Sequence, residues 1–106
     1  MIDTPRYKEL QELLTRQTDE KGRIDIQLDI AEEVKNFEVE EAAQMANDII
    51  GHSRMIGYAS GIGRGLLLKG FCNRLKGEYD AGIQFLNEAL TIAYKIHDRN
   101  MEATAL

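Results

Sequence analysis

Gly61-Ile62-Gly63-Arg64-Gly65 has the glycine density of a loop whose backbone N–H groups close on a phosphate. A dinucleotide fingerprint needs a strand before the glycines and a helix opening after them, whereas both flanks here read as helical. The lysine-serine ending of the other phosphate loop is missing. These glycines are therefore expected to let two helices approach closely, and no cofactor is expected. His52 and His97 each lack a second His, Cys or carboxylate at metal-ligand spacing on the same face, so they read as surface or helix-end residues and no metal site is expected. His97 falls near a helix C-terminus, where a protonated imidazole meets the negative end of the dipole. Cys72 sits in an apolar stripe and is expected to be a buried, inert thiol. No Ser-His-Asp or Cys-His arrangement is suggested, so no catalytic residue is named and the chain is not expected to be an enzyme. Glu32-Glu33, Glu38 and Glu40-Glu41 gather around one turn. They read as a solvated face, with attraction of a basic partner segment as the alternative.

The elements that must position these residues are helices. The 106-residue chain is 43% apolar and 29% charged, with one proline, and suits a single packed domain. A net charge of −5 disfavours nucleic acid as a partner. One cysteine excludes an intrachain disulfide. Met1 to Pro5 lacks a basic region followed by an apolar run, so no signal peptide is expected, and Leu66-Leu67-Leu68 is the longest apolar run, so no membrane association and a cytoplasmic location are expected.

Thr4-Pro5 opens a first helix carrying Tyr7, Leu10, Leu13 and Leu14, which should fail across Thr18 to Gly22. A second carries Ile26, Ile30, Ala31 and Val34 and closes around Asn36. The third opens near Glu38 with Val39, Ala42, Ala43, Ala46, Ile49 and Ile50, and ends at Gly57. The fourth holds Leu66 to Leu68, Phe71, Cys72 and Leu75, and stops at Gly77. Tyr79, Ile83, Leu86, Ala89, Leu90, Ala93 and Ile96 line one face of a fifth, whose last turn is His97 to Asn100. A sixth begins at Met101. No segment alternates with period two over a strand's length.

The chain repeats itself. A shift of 40 residues, the interval from Ile56 to Ile96, carries Glu38, Gln44 and Asn47 onto Glu78, Gln84 and Asn87. A shift of 41 carries Ile30, Ala31 and Val34 onto Phe71, Cys72 and Leu75, and Asn36 onto Gly77. Asn and Gly are the types that best tolerate a left-handed helix end. This gives a leading helix over 1–22, one helix-turn-helix unit over 23–62, a second over 63–98, and the start of a further helix over 99–106.

Residues 63–98 resemble a tetratricopeptide repeat. The positions of the family pattern hold Leu66, Lys69-Gly70, Asn73, Gly82, Leu86 and Ala89, and Gly77-Glu78-Tyr79 followed by Glu88-Ala89-Leu90 is similar to the family's turn and second helix. The overrun through Thr91 to Ile96 resembles the long-unit subclass of about 40 residues. The resemblance implies an all-α, right-handed α-solenoid of stacked antiparallel helix-turn-helix repeats.

It further implies a non-catalytic protein–protein interaction module, as the N-terminal fragment of a larger signalling or scaffold protein. The alternative is a peptide-sensing domain that regulates a linked output domain. In the family a concave groove lined by the first helix of each unit holds protein or peptide segments. The corresponding residues are Leu28, Val34, Arg64, Leu67, Leu68, Phe71, Arg74 and Leu75, with Ala31 and Lys35 beside them. A core role for Leu67, Leu68, Phe71 and Leu75 is equally open. Gln27 and Ala31 stand where carboxylate-gripping members of the family have Lys and Asn. A stack of about two and a half units leaves end helices exposed, so self-association as a dimer is expected.

Overall fold

The computed structural model describes residues 3–105, and its regular elements are six helices: α1 (Pro5–Arg16), α2 (Glu20–Val34), α3 (Val39–Met55), α4 (Ala59–Leu75), α5 (Tyr79–Ile96) and α6 (Arg99–Ala105). The chain is all-helical. Among the described residues no helix is long and apolar enough to cross a membrane.

Local chemistry sets the boundaries. Thr4 Oγ1 accepts from the Tyr7 amide at 3.1 Å ahead of Pro5, as the sequence implies. Asp19 Oδ2 accepts from the Gly22 amide at 2.9 Å, so α2 starts at Glu20 and Gly22 lies in its first turn instead of closing α1. The open carbonyls at the end of α1 are met by Arg23, whose guanidinium donates to Leu14 O at 2.7 Å and Gln17 O at 3.0 Å. One side chain thereby ends α1 and ties it to α2.

The turns after α3, α4 and α5 are built alike. Gly57, Gly77 and His97, each 20 residues from the next, all have positive φ. In each turn the following amide reaches back over the helix end: Tyr58 N to Ser53 O, Glu78 N to Asn73 O and Asp98 N to Ala93 O, at 2.8, 2.8 and 2.9 Å. These are Schellman caps, which satisfy carbonyls that a helix end otherwise leaves open. The turn after α2 differs. There Lys35 is right-handed, Glu38 N reaches Val34 O, and Asn36 caps with its side chain onto Glu32 O at 3.4 Å. Asn36 is therefore not the left-handed counterpart of Gly77. The expected last turn over His97 to Asn100 is also shorter, because His97 closes α5 and Arg99 already belongs to α6.

Sequence neighbours pack against one another all along the chain, and α2 and α6 also touch α4. A Cβ at Gly65 of α4 would meet Ile50 of α3, and one at Gly61 would meet Ser53, so residue numbers run in opposite directions and the two helices are antiparallel. Gly63 beside Ile92 and Gly70 beside Leu86 place α4 and α5 the same way. Asp25 bonds to Tyr58, just ahead of α4, and Asp29 to Arg64, while Lys35 lies over Phe71; the numbers rise together, so α2 and α4 are parallel.

The core runs from Leu10, Ile24, Leu28, Ile30, Ala31 and Val34 through Ala42, Ala46 and Ile49 to Leu68 and Cys72. A second cluster joins Ile50, Leu66 and Ala89. Burial on α5 follows Gly82, Leu86, Ala89 and Ala93, while Tyr79 and Ile83 of the expected stripe are exposed. The reason is backbone proximity: a Cβ on Gly82 would lie 3.0 Å from Gly70 O, and one on Gly70 would lie 2.8 Å from Leu86 Cγ. No larger side chain fits between the two backbones.

Alanine substitutions separate packing from helix propensity. Gly51 on α3 is exposed, with nothing within 4 Å of a Cβ, so Gly51→Ala should gain about 1 kcal/mol. At Gly82 the same propensity gain is outweighed by overpacking of about 1–3 kcal/mol, so Gly82→Ala should lower the melting temperature. His97→Gly should raise stability by about 0.5–1 kcal/mol by relieving a left-handed non-glycine residue. Thermal unfolding of the three variants checks all three signs.

Candidate functional site

Two surfaces present themselves, one polar and paired, the other apolar and open. On the first, Tyr58 donates to Asp25 Oδ1 at 2.7 Å, and Arg64 lies 3.0 Å from Asp29 Oδ1 and 3.7 Å from Asp25 Oδ1. Asp25 and Asp29 sit one turn apart on α2, so both face the start of α4. Burial pushes the Tyr58 phenol up, and the hydrogen bond to Asp25 and the charge of Asp25 add to it. A pocket of about 370 Å³ beside this cluster is lined by Asp25, Tyr58, Arg64 and Leu67 together with Asp98 and Met101. The arrangement ties α2 to α4. Its groups spend their charge on one another, and half-exposed pairs of this kind contribute about 0.2–1 kcal/mol each.

Of the sequence-derived groove residues Arg64 and Leu67 line this pocket, and the structure does not assemble the set into an apolar groove. Leu28, Ala31 and Val34 of α2 and Leu68 of α4 are buried in the core that these helices share with α1 and α3. Arg64 is held by the two aspartates. Phe71 is half-buried between cations, with Lys35 Nζ 5.3 Å and Arg74 Cζ 5.8 Å from its ring centre. Leu67 is half-buried at the polar pocket, and Leu75 is exposed at the end of α4.

The glycine run lies inside α4, packed on Ser53, Ile50 and Met101, and is not a loop. Ser53 itself is buried, and its hydroxyl has no hydrogen-bond partner among the described residues. Cys72 is fully buried, and burial pushes its thiol up, which keeps it protonated. His52 Nε2 lies 3.7 Å from Glu20 Oε1. Among the described residues no three His, Cys, Asp or Glu side chains gather as a metal site requires.

The second surface is a trough of about 820 Å³ between α1 and α3, floored by α2. Tyr7, Gln11, Leu14 and Thr15 form one wall; Glu41, Met45, Asp48 and His52 form the other; Gln27, Ile30 and Ile49 lie at its base. Both wall helices pack on α2, but their backbones stay apart, which leaves the space open. Sequence reasoning missed this site because Tyr7 and Leu14 read as core. The available signal was on α3, where Glu41, Met45, Asp48 and His52 recur at helical spacing beside the buried stripe Ala42, Ala46 and Ile49.

The Tyr58–Asp25 tie has a pH signature. Because the folded-state pKa of Tyr58 is raised, the tie is intact below about pH 10 and is lost as pH climbs through the raised value. In a phenolate absorbance titration, the step that disappears in Tyr58→Phe should lie above about pH 10, and Asp25→Asn should move it down. A step at the ordinary tyrosine position would contradict the geometry. No family model matches the chain, and neither the curated proteins nor the solved structures compared with it give a match.

Proposed function

We propose that the chain is a protein-interaction module of the tetratricopeptide-like kind, a stack of helical hairpins that holds segments of other proteins. The observation that carries this reading is the open apolar trough between α1 and α3, wide enough to receive side chains from a partner and walled by rigid helices. The helix packing supports the stacked-hairpin part. The even-numbered helices α2, α4 and α6 touch in sequence, while the odd-numbered α1, α3 and α5 touch only their chain neighbours. An array that adds one antiparallel pair after another has this pattern, and so do three caps spaced 20 residues apart. Trough and caps together favour a binding surface in a repeat array.

The direct test is selection from an unbiased library of helical peptides displayed against the intact chain. Selected peptides should carry an apolar stripe and should perturb the amide resonances of Tyr7, Leu14, Met45 and Ile49. An empty selection, or perturbations confined to α5 and α6, would sink the reading.

Self-association is the second part of the proposal. Tyr79 and Ile83 are 63% and 55% exposed on α5, beside Arg74 and Ala105, and this face is the one we propose as the contact between copies. Sedimentation should detect a dimer that Ile83→Lys dissociates. A monomer at millimolar concentration would remove this part and leave the trough unaffected.

A further inference from the structure

The chemistry of the trough narrows its occupant. Its walls are side chains of helices whose backbone groups are already bonded within each helix. An extended segment lying there would bury N–H and C=O groups with nothing to meet them, a cost that recurs at each residue. A helix brings its backbone bonds with it. Two helices standing apart over a third also form the bed into which a further helix packs.

Charge then selects the kind of helix. The α3 wall carries the carboxylates of Glu41 and Asp48, and among the described residues no lysine or arginine lines the trough. The cations of α1 are engaged locally: Arg6 lies 3.9 Å from Glu9, Lys8 lies 2.9 Å from Asp3, and Arg16 lies 4.0 Å from Glu12. His52 faces Glu20, and Asp48 accepts from Gln44 Nε2 at 3.4 Å, an amide that leaves its charge intact. The whole chain carries a net charge of −5.

Resting on the interaction-module reading, we infer that the α1–α3 trough binds a basic amphipathic helix of a partner protein, with its apolar stripe on Tyr7, Leu14, Met45 and Ile49 and its lysines or arginines on Glu41 and Asp48. Glu41 and Asp48 are seven residues apart on one helix, about 10 Å along its axis. The partner therefore carries its two cations seven residues apart on the flank beside the stripe.

Three peptides of about 15 residues test this, sharing one leucine stripe and differing only in lysine, glutamine or glutamate at the two flank positions. Each is titrated by fluorescence anisotropy against the intact chain. The lysine peptide should bind about tenfold more tightly than the glutamine peptide, about threefold for each exposed pair, and the glutamate peptide should be weakest. The preference should vanish in Glu41→Gln with Asp48→Asn, and should shrink between about 50 mM and about 500 mM salt. Met45→Gln, with its folding checked by circular dichroism, should weaken all three peptides. Equal binding of the lysine and glutamine peptides, or a preference that survives neutralisation, overturns the basic-helix inference and leaves the interaction reading standing. If none of the three binds and the library selection is also empty, both fall together.

Discussion

Helix α4 must be touched by four other helices at once, and the rest of the architecture follows from that requirement. It packs on α2, α3, α5 and α6. A helix of ordinary side chains holds its neighbours about 8–10 Å away, and crowding four of them around one axis calls for narrow faces. The chain meets the demand with glycines. Gly65 receives Ile50 from α3, Gly63 receives Met101 from α6, and Gly70 meets Gly82 and Leu86 from α5. Glycine inside a helix costs about 1 kcal/mol relative to alanine, so a helix with this many is weak alone and is held by what surrounds it. The run that resembles a phosphate loop is thus the central packing surface.

Around that helix, polar groups fix direction more than they add stability. Arg64 and Tyr58 reach the two aspartates of α2, while Arg23 closes α1 onto α2. Each is a specific bond between neighbouring segments in a molecule whose apolar contacts are largely made by small or aliphatic groups. Such contacts tolerate sliding, whereas a hydrogen bond tolerates little. These bonds tie α1 to α2 and α2 to the start of α4, while α1 and α3 both pack on α2 without meeting each other, which leaves the trough open above it.

The helices were legible because their apolar residues recur at helical spacing, and Thr4, Gly57 and Gly77 mark ends through backbone chemistry carried by the residue itself. Gly22 misled because a glycine near a helix end usually follows the helix, while here Asp19 caps ahead of it. Asn36 misled for a related reason. Asparagine can close a helix by a left-handed backbone or by its side chain, and the sequence does not distinguish the two. His97, which adopts that backbone less readily than glycine, occupies the left-handed position in the turn that leads α5 into α6, where α6 packs against α4 and α5.

What this sequence determined alone is the number of helices, their approximate spans, and the glycine turns at Gly57 and Gly77, since all of these depend on residues within one or two helical turns of each other. What only the tertiary structure decided is which stripe of each helix is covered. Leu28, Val34 and Leu68 have the same amphipathic spacing as residues that line grooves, and they are buried because α2 and α4 turn them into a shared core. Tyr7 and Leu14 have the spacing of core residues, and they face a trough with Met45 because no backbone bridges α1 and α3. Periodicity records that a face is apolar; the partner opposite that face is set by contacts between residues far apart in the chain.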